Sequence, residues 1–342
     1  LPIDRTREPA VPAGAPGNPT PRSRGFDRFH GTLAGCGNYF NPHALMDQDR
    51  RITADEPGYY YTDALTDAAC GMVREAVADA VPFLLHVCYT APHWPLHAKP
   101  EDIARCKGRY DGGWDAVRAA RYERLKALGI IDPRWPVSPR DGASRDFHAD
   151  PPERRRWEAR RMEVYAAQVE AMDRAIGRLI ETLRATGVEE NTLVMFLSDN
   201  GGCAEFLRED GEAHAWPAHY AATARPGETC RVGNRVGLEP GPATTFMSYD
   251  LPWANASNTP FRRYKHWVHE GGIATPCVAR WPGHTPAGAL LHQPRHLIDF
   301  LPTFLDLAGA AYPVARDGHP LPPLPGESLR AALHGDDVPR AQ

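Results

Sequence analysis

Residues 161–200 read RMEVYAAQVEAMDRAIGRLIETLRATGVEENTLVMFLSDN, and this stretch decides the architecture. Met162, Tyr165, Val169, Met172, Ile176, Leu179, Ile180 and Leu183 recur at steps of three and four, which lines them along one stripe of a helix over Arg161 to Gly187. Gly187 supplies the stop, because glycine enters the left-handed conformation that closes a helix without steric cost. Thr192 to Leu197 follows as a short apolar, β-branched and aromatic run, the signature of a strand. A long helix feeding a short strand is one unit of an α/β fold. Ser198-Asp199-Asn200-Gly201-Gly202 then leaves the strand at its carboxyl end, the place where open α/β sheets bind ligands.

The same pattern extends in both directions. Thr62 to Ala80 has apolar residues at helical spacing, and Phe83 to Tyr89 reads as a buried strand ended by Pro92 and Pro95. Residues 99–150 are charged and proline-rich and predict a long insertion with one helix near Trp114 to Leu128. A second strand is expected within Ile273 to Trp281 and a further helix over Leu297 to Leu307, stopped by Gly309. Hydrophobic strands alternating with long helices predict an α/β fold whose sheet is mostly parallel and covered on both faces. Residues 1–24, rich in Pro, Gly and Arg, read as an irregular arm.

Composition excludes several classes of function. Hydrophobic content of 42% with 24% charged residues is enough for a sizeable core, and a net charge of −4 provides no basic field to draw nucleic acid. The longest apolar run, Val81 to Tyr89, is broken by Pro82 and His86 and is far short of the roughly 18 to 20 residues that cross a bilayer. Seven cysteines at irregular spacing speak against a disulfide scaffold and against a structural zinc site. The chain opens on Leu1 with no secretory pattern behind it, which is the expectation for a processed start or an internal piece.

Three stretches carry residues suited to chemistry. Asp199 and Asn200 place a carboxylate and an amide oxygen side by side where a hard cation, calcium or magnesium, could be held, although Asp-Asn-Gly-Gly is also plain turn chemistry. His93, between Pro92 and Pro95, is a candidate for hydrogen bonding to an anion or for proton donation to a leaving group; a packed histidine beside Trp94 is the other reading, and His97 is its nearest competitor. Arg262, Arg263 and Lys265 offer cations to an anion ahead of Gly271-Gly272, or form a solvated basic face. Cys70 and Arg74 lie inside a helix whose stripe buries the thiol, so they are not a nucleophile motif.

Taken together and in order, these pieces resemble the sulfatase family, in its bacterial arylsulfatase branch. The matching stretches are Arg24 to Phe29, Tyr89 to Ala98 (YTAPHWPLHA), Gly108 to Asp115, Leu197 to Glu205 (LSDNGGCAE), Trp253 to Gly272 and Asp299 to Gly309 (DFLPTFLDLAG). The resemblance implies an alkaline-phosphatase-like fold with a mixed, largely parallel sheet between helices, and a catalytic domain over residues 25–312 with 313–342 leading toward a further subdomain. It also implies that Asp199 and Asn200 are calcium ligands, that Asp199 helps to deprotonate the nucleophile, that His93 contacts sulfate and acts as general acid, and that Lys265 binds sulfate. The implied reaction is hydrolysis of a small sulfate monoester to an alcohol and sulfate through a formylglycine nucleophile.

The departures from the family pattern are specific. The family's aspartate pair, its Cys-x-Pro-Ser-Arg-type motif that yields formylglycine, and its Lys-x-His pair do not occur in these 342 residues. The expectation is therefore half of a site, with the formylglycine in an N-terminal segment not included here and the 342 residues inert alone. Two alternatives stand beside it: a phosphate or phosphonate monoester hydrolase of the same superfamily, and a non-catalytic scaffold used for binding.

Overall fold

The structure is a computed structural model that describes residues 20–33, 35, 37–207, 225, 227–316, 318–336 and 339–340; most of the expected N-terminal arm, residues 1–19, lies outside them. A small antiparallel sheet comes first, with β1 (His30–Thr32), β2 (Leu45–Asp47) and β3 (Arg50–Arg51) paired in order. Three helices follow, α1 (Tyr61–Ala78), α2 (Pro100–Cys106) and α3 (Gly113–Ala127), and then α4 (Pro152–Ala185), against which α1 and α2 pack. β4 (Val194–Leu197) leads to β5 (Arg231–Val232) and β6 (Thr245–Phe246), then α5 (Asp250–Ser257), the single turn α6 (Glu270–Ile273), β7 (Cys277–Arg280) and α7 (Phe300–Ala308).

The deciding stretch folds as its pattern demands, with two differences. α4 starts nine residues before the expected Arg161, at Pro152, whose fixed φ and missing N–H suit the first helical position. That added part, PERRRWEAR, is charged and has no apolar period; buried pairing of Arg161 with Glu158 and burial of Trp157 hold it. The buried face also differs from the expected stripe. Ala166, Ala167, Ala171 and Ala175 are buried while Val169 is exposed, because small side chains let neighbouring helices approach closely. Gly187 and Gly309 both take the left-handed conformation assigned to them, with φ of 76° and 63°.

The strands hold one clear correction. Residues 83–89, expected as a buried strand, join no ladder among the described residues, and Leu84 is 61% exposed. β4 pairs antiparallel with β7, with Phe196 opposite Val278, and the parallel pair is β5 with β6. The α/β architecture is thus mixed. The expected strand at 273–281 is shortened, since its first residues close α6 instead.

The main core is built by α2, α3, α4 and α5 with the loops beside them, around Trp114, Trp253, Phe147, Met162, Val164 and Met247. Trp253 is fully buried, and its Nε1 donates to the Glu158 carbonyl at 3.1 Å, which ties α5 to α4. That contact fixes where the chain after α5 begins, and Lys265 lies on that segment.

Candidate functional site

The turn after β4 and the segment after α5 are locked together through backbone. Gly201 N–H donates to the Gly272 carbonyl at 3.0 Å, and Lys265 N–H donates to the Gly202 carbonyl at 3.1 Å. Asn258 clamps both sides, its Oδ1 accepting from Gly202 N–H at 2.7 Å and its Nδ2 donating to the Arg263 carbonyl at 2.9 Å. Gly201, Gly271 and Gly272 are required for this approach. A Cβ on Gly201 would stand 1.8 Å from the Gly271 carbonyl oxygen, and one on Gly272 would stand 2.0 Å from that of Trp267. The adjacent Gly271 and Gly272 thus permit a tight backbone path. Arg263 and His266, on either side of Lys265, take left-handed backbone with φ of 69° and 79°, uncommon for residues with a Cβ.

His93 and Lys265, 172 positions apart, meet: Lys265 Nζ lies 3.1 Å from His93 Nε2. His93 Nδ1 is 2.7 Å from the Trp94 carbonyl, which can only accept, so Nδ1 carries the hydrogen and Nε2 presents a lone pair to the ammonium. The imidazole as it stands is neutral. Burial, and after it the Lys265 charge, hold its pKa below the ordinary histidine value, against the raising effects of the Trp94 carbonyl, Glu205 and Asp199. His97 is a different kind of residue. It is completely buried between Tyr39 N–H, 3.3 Å from Nδ1, and the Thr245 carbonyl, 2.6 Å from Nε2, and burial lowers its pKa to about 4. Of the two histidines, His93 is the one that meets a lysine, while His97 has both ring nitrogens engaged in the core.

Among the arginines, Arg263 stacks on Trp267 at 4.6 Å and pairs with Asp141 at 3.6 Å, and Arg262 is exposed; the cation at His93 is Lys265. Cys70 is buried on α1, as its stripe position predicts.

Glu205 joins the group. Its Oε1 is 2.9 Å from His266 Nε2 and 4.0 Å from Lys265 Nζ, and its Oε2 accepts from Trp94 Nε1 at 2.8 Å. Burial alone would raise its pKa, but the His266 hydrogen bond, the Lys265 charge, and Cys203 and Trp94 outweigh it and hold the carboxyl at about 2. Glu205 lies in the matched LSDNGGCAE run but has no periodic or turn signal of its own, so sequence reasoning did not single it out.

A carboxyl held at about 2 rather than its ordinary 4.5 binds fewer protons in the folded chain than in the unfolded chain between those values. Its contribution to stability is present above pH 4.5 and is lost as pH falls toward 2. Glu205→Gln should therefore lose less stability than the unaltered chain over that acid window, measured by urea unfolding at stepped pH. Parallel acid limbs would contradict this.

Asp199 and Asn200 follow β4 directly, joined by a 2.6 Å hydrogen bond from Asn200 Nδ2 to Asp199 Oδ1, with Asp199 exposed. Their oxygens fit a hard cation in kind. In number they fall short of the six to eight oxygens calcium takes, so the pair can supply part of a coordination shell. A second, softer set of ligand atoms, from His93, Cys203 and Glu205, lies within 4.8 Å of one another.

Comparison with known proteins bears on the family and the fold. The sulfatase family model matches residues 13–310. The arylsulfatase of Klebsiella aerogenes is 32% identical over 326 residues, covering 91% of this chain and 66% of the relative. An uncharacterized sulfatase of Schizosaccharomyces pombe is 30% identical, over 86% of this chain and 54% of its own length. Among solved structures, Ps i-CgsB in complex with k-i-k-neocarrahexaose superposes with a TM-score of 0.55 at 24% identity, over 93% of this chain and 52% of that one. Another, solved with its substrate D-glucosamine-2-N,6-O-disulfate, superposes at 0.51 with 20% identity, over 93% of this chain and 60% of that one. These likenesses show an alkaline-phosphatase-like α/β fold, and this chain spans about half to two thirds of the length of these four proteins. No helix among the described residues is long and apolar enough to cross a membrane.

Proposed function

The chain belongs to the sulfatase family, and from that premise we propose that the protein hydrolyses a sulfate monoester to an alcohol and sulfate, with these 342 residues forming the anion-binding and leaving-group side of the site. The contact of Lys265 Nζ with His93 Nε2 at 3.1 Å carries the reading. A sulfate monoester is a monoanion, and charge grows on its bridging oxygen as the S–O bond breaks, so a fixed cation beside a proton carrier suits it.

Lys265 would pair with a non-bridging sulfate oxygen. His93 would act at the bridging oxygen. The anion's charge offsets that of Lys265 and favours a proton on His93 Nε2, which the imidazole can then give to the departing alcohol, while Nδ1 stays donated to the Trp94 carbonyl. Sulfatases use a metal ion and formylglycine; in this chain Asp199 and Asn200 are the residues proposed to hold calcium, with magnesium suited to the same oxygens. The ion supplies positive charge to sulfate oxygens. Asp199, as a ligand of such an ion, would also help to draw a proton from the nucleophile. The formylglycine itself is proposed to come from residues outside these 342, since no cysteine here stands in a Cys-x-Pro-Ser-Arg context.

The test offers 4-nitrophenyl sulfate and 4-nitrophenyl phosphate side by side to the full-length protein and to the 342 residues alone. Sulfate-ester hydrolysis by the former that falls on chelation is expected, with none by the latter. A preference for the phosphate would overturn the substrate class, and turnover by the 342 residues alone would overturn the division of the site.

A further inference from the structure

Glu205 connects to both arms of the anion site without being one of them. Directly, its Oε1 faces Lys265 Nζ at 4.0 Å and His266 Nε2 at 2.9 Å. Indirectly, its Oε2 holds Trp94 Nε1 at 2.8 Å, and the Trp94 carbonyl in turn fixes His93 Nδ1 at 2.7 Å. The backbone of Glu205 is itself anchored, its carbonyl accepting from Ser248 Oγ at 2.7 Å. Trp94 is 1% exposed, so the indole end of this linkage cannot drift. A closed ring results: Glu205 to Lys265, Lys265 to His93, His93 to Trp94, and Trp94 back to Glu205.

A carboxylate beside an anion site is, by charge alone, unfavourable to the anion. Its presence at the centre of this ring calls for a gain that offsets that repulsion. A lysine side chain has four rotatable carbons and loses considerable freedom when confined, so prior confinement by a neighbour spares that loss at the moment of binding. The same atoms could ligate a soft cation with Cys203, but the Lys265 ammonium already stands among them as the positive charge.

We propose that Glu205 is a positioning residue that holds the Lys265 ammonium and the Trp94–His93 unit in register for a sulfate anion. The proposal rests on the anion-site reading above. Charge and position predict opposite signs, which makes it decidable. If Glu205 acted through charge alone, Glu205→Gln would tighten sulfate binding; as a positioning residue it weakens it.

The experiment is calorimetric titration of inorganic sulfate, at constant ionic strength and pH 7, into the full-length protein and its variants. Glu205→Gln is expected to weaken sulfate by about fivefold to tenfold, the scale of one charge-assisted hydrogen bond. Glu205→Asp, which keeps the charge but is one methylene too short to span Trp94 and His266 together, is expected to show a similar loss and stands in if the glutamine variant does not fold. In a Lys265→Ala background, Glu205→Gln is expected to cause a smaller further loss, the part that passes through Trp94 and His93. Unchanged or tighter binding by Glu205→Gln or Glu205→Asp overturns the proposal. If the unaltered chain binds no sulfate, or Lys265→Ala binds it as well as the unaltered chain, the anion-site reading fails and the positioning role with it; a sulfate site that survives while Glu205 proves indifferent removes only the latter.

Discussion

Lys265→Ala is expected to lower kcat/KM of the full-length protein for an aryl sulfate by about 10² to 10³-fold, the usual effect of removing one fixed donor from a site where negative charge develops. The side chain is about one-fifth exposed and its Nζ is 3.1 Å from His93 Nε2, so its loss removes a cation without opening a core cavity. Thermal unfolding should shift little. Lys265→Arg should not restore the rate, because a planar guanidinium cannot occupy the place of a compact ammonium between Glu205 and His93. The variant also reports on His93. Burial is the first cause of its lowered pKa and stays, but the Lys265 charge is removed, so the imidazole should titrate at higher pH, visible in its NMR ring resonances. A loss in kcat/KM below about threefold, with that titration unmoved, would place the anion elsewhere.

Much of this site could be read in the sequence, for a physical reason. Asp199 and Asn200 follow a strong helix-to-strand pattern, so their place at a strand's carboxyl end follows from periodicity. Read residue by residue, His93 and Lys265 are separate candidates, and only the family resemblance puts both on one sulfate; their meeting depends on the Gly201–Gly272 backbone contact, and spacing along a chain says nothing about pairs 172 residues apart. Glu205 was harder still, because a lone glutamate after a turn has no pattern and acquires meaning only from Trp94, Lys265 and His266 around it. The strands show the opposite error. Residues 83–89 have the composition of a strand and form no ladder, and Phe196 and Val278 face each other on β4 and β7 while remaining exposed. β propensity describes a fit to a pleated neighbour, so composition alone cannot tell whether that neighbour is present.

Gly271→Ala is expected to cost about 3 kcal/mol or more, at or beyond the usual upper range for overpacking, because nothing near the new methyl group can yield. Its Cβ would stand 2.2 Å from the Arg263 carbonyl oxygen and 2.4 Å from that of Arg262, and both are backbone atoms. Relief requires breaking the 2.9 Å bond from Gly271 N–H to Arg262, and with it the alignment that brings Lys265 N–H to the Gly202 carbonyl. Loss of stability and loss of sulfate affinity should therefore appear together, although Gly271 touches no candidate ligand. Gly177→Ala is the contrasting case: Gly177 lies inside α4, nothing stands within 4 Å of its added Cβ, and its φ is not in the left-handed region, so alanine should stabilise the helix by about 0.5–1 kcal/mol. Urea midpoints for the two variants should move in opposite directions. A Gly271→Ala chain as stable as the parent would mean that the 201–202 turn and the 262–272 segment are not held as closely as the structure places them, and the meeting of Lys265 with His93 would lose its support.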